Sequence, residues 1–200
     1  MANRPDIHRL IEFQQLMLAF QGINRVSYIP RAGKRQENDA EHSYFLAMAA
    51  WYLAPHFPQL DPYKMLRLAL AHDLVEVHAG DTFVYGDQQN LDSKASREAA
   101  ALAQLEQEWP DFSEMGKHIR EYAEKTSEEA KFVYVLDKLL PPMINYLAGG
   151  KVWQENNVTL ADFRTVKESR IPKDSPLRPY YEQILHFFEQ KTGLFADDKP

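Results

Sequence analysis

Residues 67–81 read RLALAHDLVEVHAGD. Apolar residues recur at helical spacing along this stretch, yet His72 and Asp73 stand side by side in its middle. Burying two adjacent titratable side chains is costly unless something pairs with them. Residues three or four apart share a helix face, so Glu76 is expected beside both His72 and Asp73. Adjacent residues point about 100° apart, so His72 and Asp73 reach a common point only from the edge of that face. A divalent cation there, taking a neutral imidazole nitrogen and a carboxylate oxygen, would remove the burial cost.

Asp61-Pro62 supplies the start of this helix, a capping side chain followed by proline at the first helical position, and Gly80 is expected as its left-handed end. Upstream, Ile7, Leu10, Ile11, Leu16, Met17 and Phe20 predict a first helix ending near Gly22, followed by a loop over 23–37. Asn38 with Glu41 makes a capping-box pattern, and the helix it opens carries His42 and runs to Pro55. Its Tyr44, Phe45, Met48 and Tyr52 are expected in the core.

Downstream, a loop over 81–92 leads to an Ala-rich helix over 93–108, then one over about 113–125. Thr126 with Glu129 predicts the next start, and Pro141-Pro142 is expected to kink or end that helix. Weaker helices follow at about 159–169 and 177–191. No period-2 strand stands out. The expected fold is all-α, roughly seven or eight helices in a single domain over 1–200, with a motif-bearing core of about 10–150 and a C-terminal helical extension over 151–200.

The chain has 200 residues, 26% of them charged, and a net charge of −6. It holds no dense Lys/Arg run, which argues against long nucleic acid as a ligand. Its apolar runs fall short of the ~20 residues that cross a bilayer, and Met1–Pro5 does not read as a signal peptide, so the expected compartment is the cytoplasm. Without cysteine, a metal must be held by His, Asp or Glu. His42, in the first turns of an apolar helix, and Asp137, an acid amid Val133, Val135, Leu136, Leu139 and Leu140, are the remaining candidate ligands. An unpaired carboxylate at Asp137 would be costly or protonated. His78, six positions after His72, points elsewhere.

The order His42, His72-Asp73, Asp137 resembles the signature of the HD-domain phosphohydrolases, an all-α superfamily of metal-dependent phosphomonoesterases and phosphodiesterases. The similarity is closest to the 5′-deoxynucleotidase branch. It rests on Asn24-Arg25, Glu41-His42, His72-Asp73-Leu74-Val75-Glu76, Gly80-Asp81 and Ser127-Glu128-Glu129 leading to Asp137. The resemblance implies His42, His72, Asp73 and Asp137 as metal ligands, with Glu76 activating the attacking water. Asp81 would help to place that water, and Arg25 would meet the phosphate.

One divalent transition metal is implied: manganese, cobalt, iron, nickel or zinc rather than magnesium. The implied substrate is a small nucleotide and the implied assembly a homodimer, through an apolar stripe on the first or last helix. Val26 stands where characterised bacterial deoxynucleotidases carry an aromatic residue. Two other readings remain open: hydrolysis of another phosphorylated or signalling nucleotide, and a non-catalytic regulatory module that binds a nucleotide. Tyr85, Lys94 and Arg97 follow the Gly-Asp motif and offer contacts to substrate, but a solvated face is the expected place for each.

Overall fold

A computed structural model describes residues 4–196. The chain is mainly helical, with eight helices of ten residues or more among the described residues. Helix α1 spans Ile7–Gln21, α2 Asp39–Leu53, α3 Pro62–Ala71, α4 Glu76–Ala79 and α5 Gln88–Glu108. Then come α6 Ser113–Glu124, α7 Glu128–Leu147, α8 Lys151–Glu155, α9 Leu160–Arg170 and α10 Arg178–Glu189. No described helix is long and apolar enough to cross a membrane.

The expected loop over 23–37 is in part a small sheet. Strand β1 (Asn24–Tyr28) pairs antiparallel with β2 (Gln36–Asn38), Asn24 facing Asn38 and Tyr28 facing Gln36. Its short strands, 5 and 3 residues, are too brief for alternation to be visible in the sequence. The hairpin matters because it carries Arg25 to the start of α2.

Local capping fixes several helix starts. The Asn38 side chain accepts from the Glu41 amide at 2.9 Å, and the Glu41 carboxylate accepts from the Asn38 amide at 3.1 Å. Asp61 accepts from Tyr63 and Lys64 amides at 2.9 and 3.3 Å, with Pro62 at the first helical position. The start of α7 differs from expectation by one residue: Ser127, not Thr126, accepts from the Ala130 amide. Glu129 instead accepts from the Asp61 amide, tying α7 to α3. Helix α7 is not ended by its prolines, since Leu139, Pro142 and Asn145 on either side are buried and that packing keeps the segment helical.

Two buried clusters meet around the 67–81 stretch. One joins α2, α3 and α7 to the C-terminal helices through Leu46, Met65, Leu68, Phe132, Trp153 and Phe163. The other joins α1, α5 and α6 to the segment after α3 through Leu16, Phe20, Ala71, Leu74 and Leu105. Stacking of Trp153 on Phe195, with ring centroids 4.3 Å apart, helps to seat the C-terminal helices on α7.

The aromatic stripe of α2 is a correction. Leu46, Ala47 and Ala50 take the core, whereas Tyr44, Phe45, Met48, Trp51 and Tyr52 are exposed. Helix α2 is apolar on both sides, so composition did not say which side would be buried.

Candidate metal centre and cleft

The expected continuous helix through His72, Asp73 and Glu76 is broken. Helix α3 ends at Ala71, a turn covers 72–75, and the four-residue α4 begins at Glu76. The turn changes the direction of adjacent side chains, so His72 and Asp73 face one point. His72 Nε2 lies 2.9 Å from Asp73 Oδ2. His72 Nδ1–H donates to the Ala69 carbonyl at 2.9 Å, a group freed by the ending of α3. That bond leaves the Nε2 lone pair aimed at the centre, buried and without a hydrogen-bond partner.

His42 enters from the first turns of α2, fully buried, its ring centroid 5.5 Å from that of His72. Asp137 enters from the middle of α7, with Oδ1 2.9 Å from His42 Nε2 and 4.0 Å from His72 Nε2. Donor atoms of His42, His72 and Asp73 all lie within 4.8 Å of one another. The four expected ligands are thus brought together from three segments. The donor set suits a cation: an orphaned imidazole nitrogen, a second neutral imidazole and two carboxylates.

Burial lowers the His72 pKa, but Asp73 and then Asp137 outweigh it and the net shift is upward. Burial, and then the Arg25 charge, lower the His42 pKa to about 4, so its ring is neutral at neutral pH. Burial alone would raise Asp73 and Asp137. For Asp73 the His72 and Arg25 contacts overcome it; for Asp137 the Lys138 ammonium and His42 do, and both carboxyls stay ionised well below the usual range. Tyr122 donates to Asp137 Oδ2 at 2.6 Å, and Lys138 Nζ donates to the same oxygen.

Arg25, from β1, reaches Asp73 Oδ2 at 3.0 Å and Asp39 Oδ1 at 3.2 Å, with Glu37 Oε2 3.6 Å from its Nε. Glu76 is buried, one oxygen unpartnered and the other 3.7 Å from Lys94 Nζ. Burial, followed by repulsion from Asp73 and Asp39, pushes Glu76 up to about 11. Asp81 follows Gly80, whose φ of 73° strains any residue with a Cβ, and its carboxyl is raised by burial against the pull of Arg25. Arg25, Asp73, Glu76, Asp81 and Asp137 line one cleft.

Several cleft residues were not singled out in the sequence. Lys138, Asn145, Lys167 and Arg170 line it from α7 and α9, and Phe83 lines it from the loop after Asp81. Tyr85 and Lys94 also line it, which corrects their expected solvated placement. Arg97 is a brace, donating from Nη2 to Thr82 Oγ1 at 2.8 Å and from Nη1 to the Ala79 carbonyl. Glu37 and Asp39, both fully buried, back the centre; Glu37 Oε2 lies 3.8 Å from His42 Nδ1. Acids four and two residues before the capping Glu41 could have drawn attention to Asn38's neighbours, but nothing in the pattern said that they would be buried. His78 binds Glu108 at 3.0 Å, away from the centre as expected.

Comparison with known proteins decides the family, because the HD domain family model matches residues 20–177. The chain belongs to the HD domain family. Among relatives of this HD protein, 5′-deoxynucleotidase HDDC2 of Mus musculus is 30% identical over 131 residues, covering 64% of this chain and 64% of that one. The protein of the same name from Bos taurus is 31% identical over 131 residues, covering 64% and 62%. The HD protein thus spans under two thirds of the length of the curated relatives it matches. Over nearly its whole length it resembles the crystal structure of a predicted metal-dependent phosphohydrolase from Magnetospirillum magnetotacticum. That likeness has a TM-score of 0.79 and 29% identity, and covers 98% of this chain and 100% of that one.

Proposed function

We propose that this HD protein is a metal-dependent phosphohydrolase of the 5′-deoxynucleotidase type, converting (deoxy)nucleoside 5′-monophosphates to nucleoside and phosphate. The observation that carries the reading is the buried convergence of His42, His72, Asp73 and Asp137, with the His72 Nε2 lone pair unclaimed. Those four residues would hold one divalent transition metal, which supplies Lewis acidity and lowers the pKa of a bound water. The names of the relatives, a 5′-deoxynucleotidase and a predicted metal-dependent phosphohydrolase, support the same class.

The chain's own residues then have separate tasks. Glu76 would accept the proton of the attacking water; burial, and then Asp73 and Asp39, raise its pKa, and a cation held by Asp73 would offset one of those charges. Asp81, on the same cleft wall, orients the water. Arg25 offers positive charge to the phosphate from the position where it now bridges Asp73 and Asp39. In-line attack of water on phosphorus breaks the bond to the 5′ oxygen, releasing the nucleoside alcohol and inorganic phosphate.

Phosphate release from paired ribo- and deoxynucleoside 5′-monophosphates, with manganese, cobalt, nickel or zinc added to stripped protein, is the direct test. Release that depends on added metal and is lost in Glu76→Ala supports the reading. Release unchanged by that substitution removes Glu76 from its task, and no release from any nucleotide removes the activity. A homodimer is also proposed, through the exposed apolar sides of α1 and α2 that carry Ile7, Leu10, Ile11, Phe45, Met48 and Trp51. Light scattering on the eluted protein checks it.

A further inference from the structure

A second cavity adjoins the cleft as a lobe and shares part of its lining. On the other side of Asp73 from Arg25 and Asp81, a cavity of about 520 Å³ opens between α5, α6, α7 and α9. His72 and Asp73 reach it from the metal centre, and Lys94, Lys125, Lys138 and Arg170 stand around it. Lys94, Lys138 and Arg170 line the first lobe as well, so they form the ridge between the two.

The charges of this lobe do not cancel within it. Lys94 is taken by Glu98, and Arg120 by Glu106 at 2.5 Å. Lys138 has Asp137 as its ion-pair partner, a carboxylate that the proposed metal would claim. Among the described residues Lys125 and Arg170 make no ion pair, and Glu124 is the one lining carboxylate left over besides Asp73. Lys125 and Lys138 flank one ring, with their ammonium groups 4.4 and 5.0 Å from the Tyr134 centroid. The crowding extends behind the wall: Lys167, donating to the Lys138 carbonyl at 2.6 Å, has its pKa lowered to about 7 by burial and then by Lys138. Lys125, whose ammonium donates only to the Ala123 carbonyl at 3.2 Å, and Arg170 add positive charge that no ion pair among the described residues offsets, and such a cluster attracts an anion.

We propose that this lobe is an anion subsite in which Lys125, Lys138 and Arg170 hold a second phosphoryl group of the molecule whose first phosphate sits at the metal centre. The inference rests on the phosphohydrolase reading for the place of the first phosphate. It extends the range of ligands to compounds with two phosphoryl groups, one on each side of the ridge. The C-terminal extension thereby becomes part of ligand selection through Arg170.

Calorimetry on the manganese-loaded protein tests this with two non-hydrolysable probes, propylphosphonate and 1,3-propanediphosphonate, at fixed free metal. The diphosphonate is expected to bind at least about tenfold more tightly, a preference worth about 1.4 kcal/mol. In Lys125→Asn, which suits the left-handed φ of 53° at that position, the ratio falls toward one while propylphosphonate binding holds within about twofold; Arg170→Ala, on the ridge, weakens both probes and the diphosphonate more. The wild-type ratio should also shrink as salt is raised from low to molar concentration. A wild-type ratio near one overturns the subsite, as does a ratio that survives both substitutions in protein with a wild-type circular dichroism spectrum. Because these are binding ratios, they stand or fall apart from phosphate release from nucleotides, which alone tests the nucleotidase reading.

Discussion

The two walls of the cleft differ in kind. One is mainly acidic and drawn from short segments: Asp73, Glu76 and Asp81, with Arg25 among them, lie within 56 positions of one another, and Asp137 is added from α7. The other is basic and scattered over three long helices: Lys94 on α5, Lys138 on α7, Lys167 and Arg170 on α9. The difference teaches which burials announce themselves. An imidazole or carboxylate inside an apolar run is conspicuous, because its burial must be compensated. A lysine or arginine on an amphipathic helix is ordinary, since its stem lies along apolar surface and its head usually reaches water.

The sharpest way to break the comparison is to remove one donor of the metal centre that the acidic wall surrounds. His72→Ala should lower manganese affinity by at least about 100-fold, measured by calorimetry, since loss of even an outer partner of a ligand costs 10–100-fold. Activity should fall with it. Unchanged affinity would mean that the four donors do not act together. Glu76→Gln comes next: turnover should fall by about 10²–10⁴-fold, the usual contribution of a general base, with metal content unchanged.

On the basic wall the expected effect is smaller and lies in stability. Lys167 has a pKa of about 7 in the folded protein against 10.5 for an ordinary lysine. Between those values the unfolded chain binds more protons than the folded one, so stability rises with pH across that window. Lys167→Met should flatten the rise, as seen in melting temperatures taken from pH 7 to 10.5. A slope identical to wild type would mean that Lys167 keeps its charge when buried. The smallest effect concerns the helix that both walls share. Ser127→Ala should cost about 1 kcal/mol of stability in denaturant titrations, and Thr126→Ala much less, because Ser127 caps α7.

Local grammar was readable and tertiary placement was not. The Asn38 capping box and Asp61-Pro62 were legible because a cap is a contact between residues two or three apart. The four donors were legible because each is a polar group within an apolar run. The break after Ala71 was hidden, since Leu74 and Val77 continue the helical spacing straight through it. The β1–β2 hairpin was hidden by its brevity. Helix α2 was read inside out because packing partners, not the sequence of the helix alone, chose Leu46 and Ala50 over Met48 and Trp51. Lys167 and Arg170 join the cleft only because the aromatic packing around Trp153 and Phe163 brings α9 back onto α7.

The two histidines of the centre are steadied by unlike means. The ring of His72 is fixed by a peptide carbonyl three residues back, whereas Nδ1 of His42 faces the Glu37 side chain. A main-chain oxygen cannot be lost by replacing a side chain, so one imidazole keeps its tautomer through any drift of its neighbours. Nδ1 of the other makes no hydrogen bond among the described residues, so that ring owes its setting to Asp137 and to packing, and inheritance can loosen either one codon at a time.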